Sequence, residues 1–130
     1  MNRLCLCMIV RDEAKIIERC LESVYPEITH YVIHDTGSTD QTPNIIQSYL
    51  DQKDVPGTLS THPFVNFEVN RNQALQEALA VATCDYVLLI DADMCLCGPF
   101  PKFEDPTISS YLIAQHTKNL TYFNKRIVNS

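Results

Sequence analysis

The sequence predicts an α/β protein in which a mostly parallel β-sheet is flanked by helices. Three observations carry this. Short apolar runs of strand length alternate with segments whose apolar residues recur at three- and four-residue spacing. The runs Leu4–Val10 and Tyr86–Ile90 are apolar without alternation, as strands covered on both faces are. Three of the runs close on acidic residues, at Arg11-Asp12-Glu13, at Asp35 and at Asp91-Ala92-Asp93.

Leu4–Val10 is the first predicted strand. Ala14, Ile17, Cys20, Leu21 and Val24 then share one helical face, and Tyr25-Pro26 ends it because the residue before proline avoids the helical region. Tyr31–Asp35 is the second strand, closed by Thr36-Gly37-Ser38. A helix resumes near Thr42-Pro43, where proline's missing N–H costs nothing, with Ile45, Ile46, Tyr49 and Leu50 inward. A short third strand is expected over 58–62. A third helix follows over 69–82, with Ala74, Leu75, Ala78, Leu79 and Ala82 inward, and Tyr86–Ile90 is the fourth parallel strand. The tail differs. Ser110–Gln115 and Thr121–Val128 read as an antiparallel β-hairpin joined across Lys118-Asn119.

A chain of 130 residues with 45% hydrophobic and 20% charged residues is one globular domain over 1–130, not a disordered segment. The net charge of −6 and the acidic isoelectric point argue against nucleic acid as a partner. The N-terminal apolar run is far short of the ~20 residues of a membrane span and lacks a cleavage site, so no membrane span and a cytoplasmic location are expected. Six cysteines in that setting read as reduced residues, four of them in or beside apolar segments; Cys5-x-Cys7 and Cys95-x-Cys97 lack zinc-knuckle spacing.

In an open parallel sheet, ligands bind beyond the carboxyl ends of the strands, where the acidic ends here lie. Asp91 and Asp93, two apart on an extended segment, point the same way and can address one cation; hard cations held by one or two carboxylates take their remaining ligands from substrate phosphates. The same pattern also fits a solvated turn. Arg71, at the start of the third helix, is either a phosphate clamp or a surface arginine. Gly37 reads as a turn residue, with Ser38, Asp40 or Thr42 capping the next helix. His34 reads as a packed polar residue.

Taken together, three stretches resemble the nucleotide-sugar glycosyltransferases of family 2, whose fold is GT-A. Leu6–Ala14 is similar to their first strand and its loop, and Val32–Thr42 to their D-x-G-S-T-D-x-T segment. Asn70–Ala74 followed by Tyr86–Asp93 is similar to their R-N-x-A helix start and D-x-D. The resemblance covers about residues 4 to 96. It implies a nucleotide-diphosphate sugar as donor and Mn or Mg as cofactor. It implies that Asp93 coordinates the metal, with Asp91 on the metal or the ribose, and that Arg71 approaches the diphosphate. Asp35 and the loop through Arg11 and Glu13 would frame the base and ribose. Transfer would be inverting, to an acceptor the sequence does not name. The acceptor half and the catalytic base are expected beyond this chain, whose own nearby candidates are Glu104, Asp105 and His116. The chain is therefore expected to be an incomplete, nucleotide-binding portion. Two rival readings are a catalytically inactive binding or interaction remnant of the same fold and a metal-dependent phosphoryl-transfer domain, although no lysine ends a strand to serve the latter.

Overall fold

The computed structural model describes residues 3–81, 84 and 86–95, with the backbone of 110–116 and 121–129. Its elements are β1 (Leu4–Val10), α1 (Ile17–Val24), β2 (His30–Asp35), α2 (Thr42–Gln52), β3 (Gly57–Thr61), α3 (Phe67–Leu79), β4 (Tyr86–Leu89), β5 (Ser110–His116) and β6 (Thr121–Asn129). They build one sheet in the order β3-β2-β1-β4-β6-β5. The first four strands run parallel, with Val10 beside Asp35 and Cys7 beside Leu89. The β5–β6 hairpin is antiparallel, as the tail pattern predicts, and the structure joins it to the sheet along β4.

The chain steps outward from β1 to β2 to β3 and then returns to set β4 on the other side of β1. Right-handed crossovers taken in opposite directions put their helices on opposite faces. Accordingly α1 and α2 cover one face and α3 the other. On the first face Leu4, Leu6, Met8 and Val10 pack with Ile33 and Leu88 under Ile17, Leu21, Ile46 and Leu50. On the second, Cys5, Cys7, Val32 and Val87 meet Ala74 and Ala78 of α3. This two-sided burial is why β1 is apolar at every position. Burial of each large side chain contributes roughly 1.5–3 kcal/mol.

Several boundaries differ from the sequence pattern, among them the end of α3, at Leu79 and not 82, and the end of β4, at Leu89 and not Ile90. Helix α1 starts at Ile17, so Ala14 lies in the preceding turn, where Ala14 N–H donates to Asp40 Oδ2 at 3.2 Å. Strand β3 begins at Gly57, which passes so close to Tyr31 that a Cβ would strike its carbonyl oxygen and ring. Helix α3 begins at Phe67 because Asn66 caps it, its side chain accepting from Val69 N–H at 2.8 Å. Ala82, Cys97, Glu104, Asp105 and the Lys118-Asn119 junction lie outside the described residues, as does the side chain of His116. Cys5, Cys7, Cys20 and Cys84 are buried, as expected of core thiols, whereas Cys95 is exposed and is not a core residue. Burial pushes the Cys7 and Cys20 thiols up to about 12. His34 is a packed polar residue, buried beneath α3 with Nε2 at 2.8 Å from Glu77 Oε2 and its ring stacked on His62. None of the helices among the described residues is long and apolar enough to cross a membrane.

Candidate functional site

The point where the chain reverses its direction across the sheet lies between β1 and β4, and a crevice opens there at the carboxyl ends of the strands. It is a cleft of ≈ 560 Å³ lined by Ile9 and Val10 at the end of β1, by Arg11 and Glu13 after it, and by Thr36 after β2. Phe64 from the loop before α3, Phe67 and Arg71 from the start of that helix, and Asp91, Ala92 and Asp93 after β4 complete it. That size falls within the roughly 300–1,000 Å³ of small-molecule sites.

The β1 and β2 loops are zipped together by side chains. Asp12 takes the left-handed conformation, φ 51°, which aspartate and asparagine tolerate better than most residues. Its Oδ1 accepts from Thr39 N–H at 2.6 Å and Asp40 N–H at 3.3 Å, while its own N–H donates to Ser38 Oγ at 2.9 Å. Glu13 N–H donates to Thr42 Oγ1 at 2.8 Å. Asp40 Oδ1 in turn accepts from Thr42 N–H at 2.9 Å, a turn bond ahead of α2, whose N-cap residue is Gln41 and makes no side-chain capping bond, so the cap expected from Ser38, Asp40 or Thr42 is not formed. Asp35 Oδ1 accepts from Gly37 N–H at 2.9 Å and Ser38 N–H at 2.8 Å, and Gly37 sits at φ +116°, a conformation that only glycine adopts at little cost. The segment from Asp35 to Thr42 thus acts as the brace that holds Arg11 and Glu13 at the cleft.

On the opposite wall Arg71 Nη2 donates to Asp91 Oδ1 at 2.9 Å, with both side chains about two-fifths exposed (43% and 37%). An exposed pair of this kind adds at most about 1 kcal/mol to stability, so it serves mainly to aim the two groups. Asp93 is exposed two residues on. Glu13 has its carboxyl raised above the usual range, first by burial and then by the charges of Asp93, Asp40, Asp12 and Asp91. The cleft therefore carries a negative field that its own arginines leave only partly balanced.

Of the residues singled out in the sequence, the fold brings Arg11, Glu13, Arg71, Asp91 and Asp93 to one cleft. Asp35 lies below it: buried, with one oxygen engaged by the turn and Oδ2 without a hydrogen-bond partner, while Thr36 lines the wall above. Sequence reasoning passed over Thr36, Phe64 and Phe67. Phe67 directly follows a helix-capping asparagine, and Phe64, Val65, Phe67 and Val69 form a dense apolar group with no helical face to bury it; that was the available signal.

Comparison with known proteins agrees with this geometry. The family model for glycosyl transferase family 2 matches residues 5–96. The chain belongs to that family, and its architecture is the GT-A fold. A TPR repeat-containing protein of Synechococcus elongatus is 41% identical over 93 residues, covering 72% of this chain and 21% of the relative. The poly-beta-1,6-N-acetyl-D-glucosamine synthase of Staphylococcus epidermidis is 34% identical over 102 residues, covering 72% of this chain and 23% of the relative. Among solved structures, the mannosyltransferase PcManGT from Pyrobaculum calidifontis in complex with GDP-Man and Mn2+ superposes with a TM-score of 0.62. It is 25% identical, over 83% of this chain and 34% of that one. S. aureus TarS in complex with UDP superposes at 0.55 and 26% identity, over 70% of this chain and 27% of that one. The chain thus spans about a fifth to a third of the length of these relatives.

Proposed function

We propose that this chain is the donor-binding part of a glycosyltransferase that transfers a sugar from a nucleotide-diphosphate sugar with the help of Mn or Mg. The observation that carries the proposal is the convergence of Arg71, Asp91 and Asp93 with Arg11 and Glu13 in one cleft at the switch point of the sheet. The mannosyltransferase neighbour, solved with GDP-Man and Mn2+, and the neighbour solved with UDP support the same donor class.

The residues suit a hard divalent ion. Asp91 and Asp93 offer carboxylate oxygens, and among the described residues no group of three or more His, Cys, Asp or Glu could hold an ion alone. Such a partial ligand set leaves room for diphosphate oxygens and water. When bound, the metal would act as a Lewis acid on the departing diphosphate. Arg71 supplies a guanidinium fork that matches phosphate oxygens and would share its bond between Asp91 and the diphosphate. Arg11 and Glu13 border the nucleoside side. Asp35 Oδ2, buried and bare, would be relieved by a hydroxyl or N–H donor from the ribose or base. Transfer is assigned as inverting, with one in-line displacement and a carboxylate base for an acceptor still to be named. The core thiols suit a cytoplasmic setting, and 1–130 is read as a single domain.

Calorimetric titration of the chain with UDP and with GDP, with and without Mn2+, tests the proposal. Binding is expected to require the metal and to be lost in Asp93→Ala. Equal affinity with and without Mn2+, unchanged in the variant, refutes the site. Absence of any binding by the wild-type chain identifies an inert remnant instead.

A further inference from the structure

Helix α3 rests on the sheet through small side chains. Its buried residues are Asn70, Ala74 and Ala78, whereas α1 buries Ile17, Cys20, Leu21 and Val24. Leu75 and Leu79 pack along its margin, partly exposed. A methyl group lets a helix lie close to a sheet but does little to key it against rolling or sliding, because register is set by large side chains seated between their neighbours. Polar bonds supply the key here. Asn70 holds the loop that leads into the helix, accepting from Val65 N–H at 2.8 Å and donating to Pro63 O at 3.0 Å. Two turns further on, Glu77 reaches the sheet. Its Oε2 accepts from His34 Nε2 of β2 at 2.8 Å and, more weakly, from Thr58 Oγ1 of β3 at 3.5 Å.

His34 is buried and its Nδ1 has no partner, a costly arrangement for a side chain that only fills space. Its ring lies against that of His62, with centroids 3.8 Å apart and planes at 21°. His62 is fixed in turn, with Nε2 2.8 Å from Ser60 Oγ and its N–H donating to Asp35 O at 2.8 Å. The stack sets the plane of the His34 ring and aims Nε2 at the helix. Arg71 leaves α3 on the other flank. Glu77 follows it by six residues, about 9 Å along the axis and about 120° around it. Arg71 Nη2 donates to Asp91 Oδ1, beyond β4, at 2.9 Å. Since β2 and β4 lie on either side of β1, the helix is moored to both flanks of the central strand. A roll of α3 that frees Glu77 from β2 therefore also moves Arg71.

We infer that the Glu77–His34 pair is a positioning pin that keys α3 to the sheet and thereby aims Arg71 at the diphosphate, an inference that rests on the function proposed above. Neither residue lines the cleft, so the effect on a ligand runs through Arg71. The sign of that effect separates the pin from simple electrostatics. Glu77 is an acid, and removing its charge alone favours an anionic ligand, whereas removing the pin disfavours it.

Dissociation constants for inorganic pyrophosphate and UDP, both with Mn2+, test the pin in the wild type, Glu77→Ala, Glu77→Gln, Arg71→Ala and the double variant Glu77→Ala/Arg71→Ala. The Glu77 side chain is 46% exposed, so its replacement leaves the core intact, which circular dichroism checks. Glu77→Ala is expected to weaken both ligands alike by about 2- to 10-fold, the net worth of one hydrogen bond expressed as a ratio, and by less than Arg71→Ala does. Glu77→Gln keeps an oxygen that accepts from His34 and should bind both ligands at least as tightly as the wild type. With Arg71 already removed, Glu77→Ala should change neither constant by more than about 2-fold. The pin is overturned, and the donor site left standing, if Glu77→Ala binds both ligands as tightly as the wild type or more tightly, or if its loss persists in full in the Arg71→Ala background. It is overturned as well if UDP weakens and pyrophosphate does not, since the effect then runs through the nucleoside side. If the wild type binds neither ligand, the donor site falls and the pin falls with it.

Discussion

Asn70→Ala is the substitution that most directly tests how the fold presents its site. The side chain is 1% exposed and makes three hydrogen bonds, two accepted from Val65 and Asn66 and one donated to Pro63. A hydrogen bond contributes about 1 kcal/mol net, and the 3.2 Å bond to Asn66 is the weakest of the three. Pro63, Val65 and Asn66 are exposed, so water can reach their backbone groups once the amide is gone, which limits the further penalty for unpaired atoms. The loss is therefore about 2–3 kcal/mol, or about 6–15 °C in melting temperature for a domain of this size. The assay is thermal unfolding followed by circular dichroism, with Asn72→Ala as the control because its side chain is exposed on the same helix turn. Amide exchange adds a local readout, since the Val65 and Asn66 N–H groups should lose protection while the β1 amides keep theirs. If Asn70→Ala melts with Asn72→Ala and those two amides stay protected, the brace does not hold the loop.

Two further outcomes follow from the β1 loop. Asp12→Asn should change stability by less than about 1 kcal/mol, because an asparagine carbonyl can accept the same bonds and asparagine also tolerates φ 51°; Asp12→Ala loses both advantages and should cost about 1–3 kcal/mol in urea unfolding. Glu13 has a carboxyl raised above 4.5 in the folded state by burial and by four acids, so the unfolded chain releases that proton first as pH rises. The folded state then loses stability between about pH 4.5 and the raised value, and the loss is complete above it. In metal-free buffer Glu13→Gln should melt above the wild type near neutrality and together with it below pH 4.5. A difference that is the same in acid and at neutrality would contradict the assignment.

The strands were the most legible part of the fold. Leu4–Val10 is apolar at every position because it is the central strand, with α1 and α2 on one face and α3 on the other; no alternation was needed to identify it. The boundaries of α1 and α3 were less legible because side chains set them. Asp40 and Thr42, distant in sequence, hold the backbone of Glu13 and Ala14 out of the helix, and Asn66 starts α3 two residues before the apolar periodicity does. Asp35 shows the same limit at the site. A carboxylate at a strand end reads as a ligand contact, but its Oδ1 bonds to Gly37 and Ser38 depend on a turn whose geometry appears only once the chain is folded.

The acids after β1 and β4 were legible as a group because a parallel sheet brings strand ends together whatever lies between them. What the pattern could not supply is their balance of charge. Arg11 and Arg71 share the cleft with Glu13, Asp91 and Asp93, two cations against three carboxylates, and Arg71 is already bonded to Asp91. A diphosphate entering this cleft alone would add negative charge beside acids that, after burial, already help to raise the Glu13 carboxyl. Arg71 can offer the diphosphate only what it withdraws from Asp91. A divalent cation held as proposed would change both conditions at once, since it would neutralise the carboxylates and give the phosphate oxygens a partner that does not have to leave another bond. Under the proposed function the affinity for the diphosphate would depend on the cation more than on the arginines, and the loss of binding on removing Mn2+ should exceed the loss in Arg71→Ala.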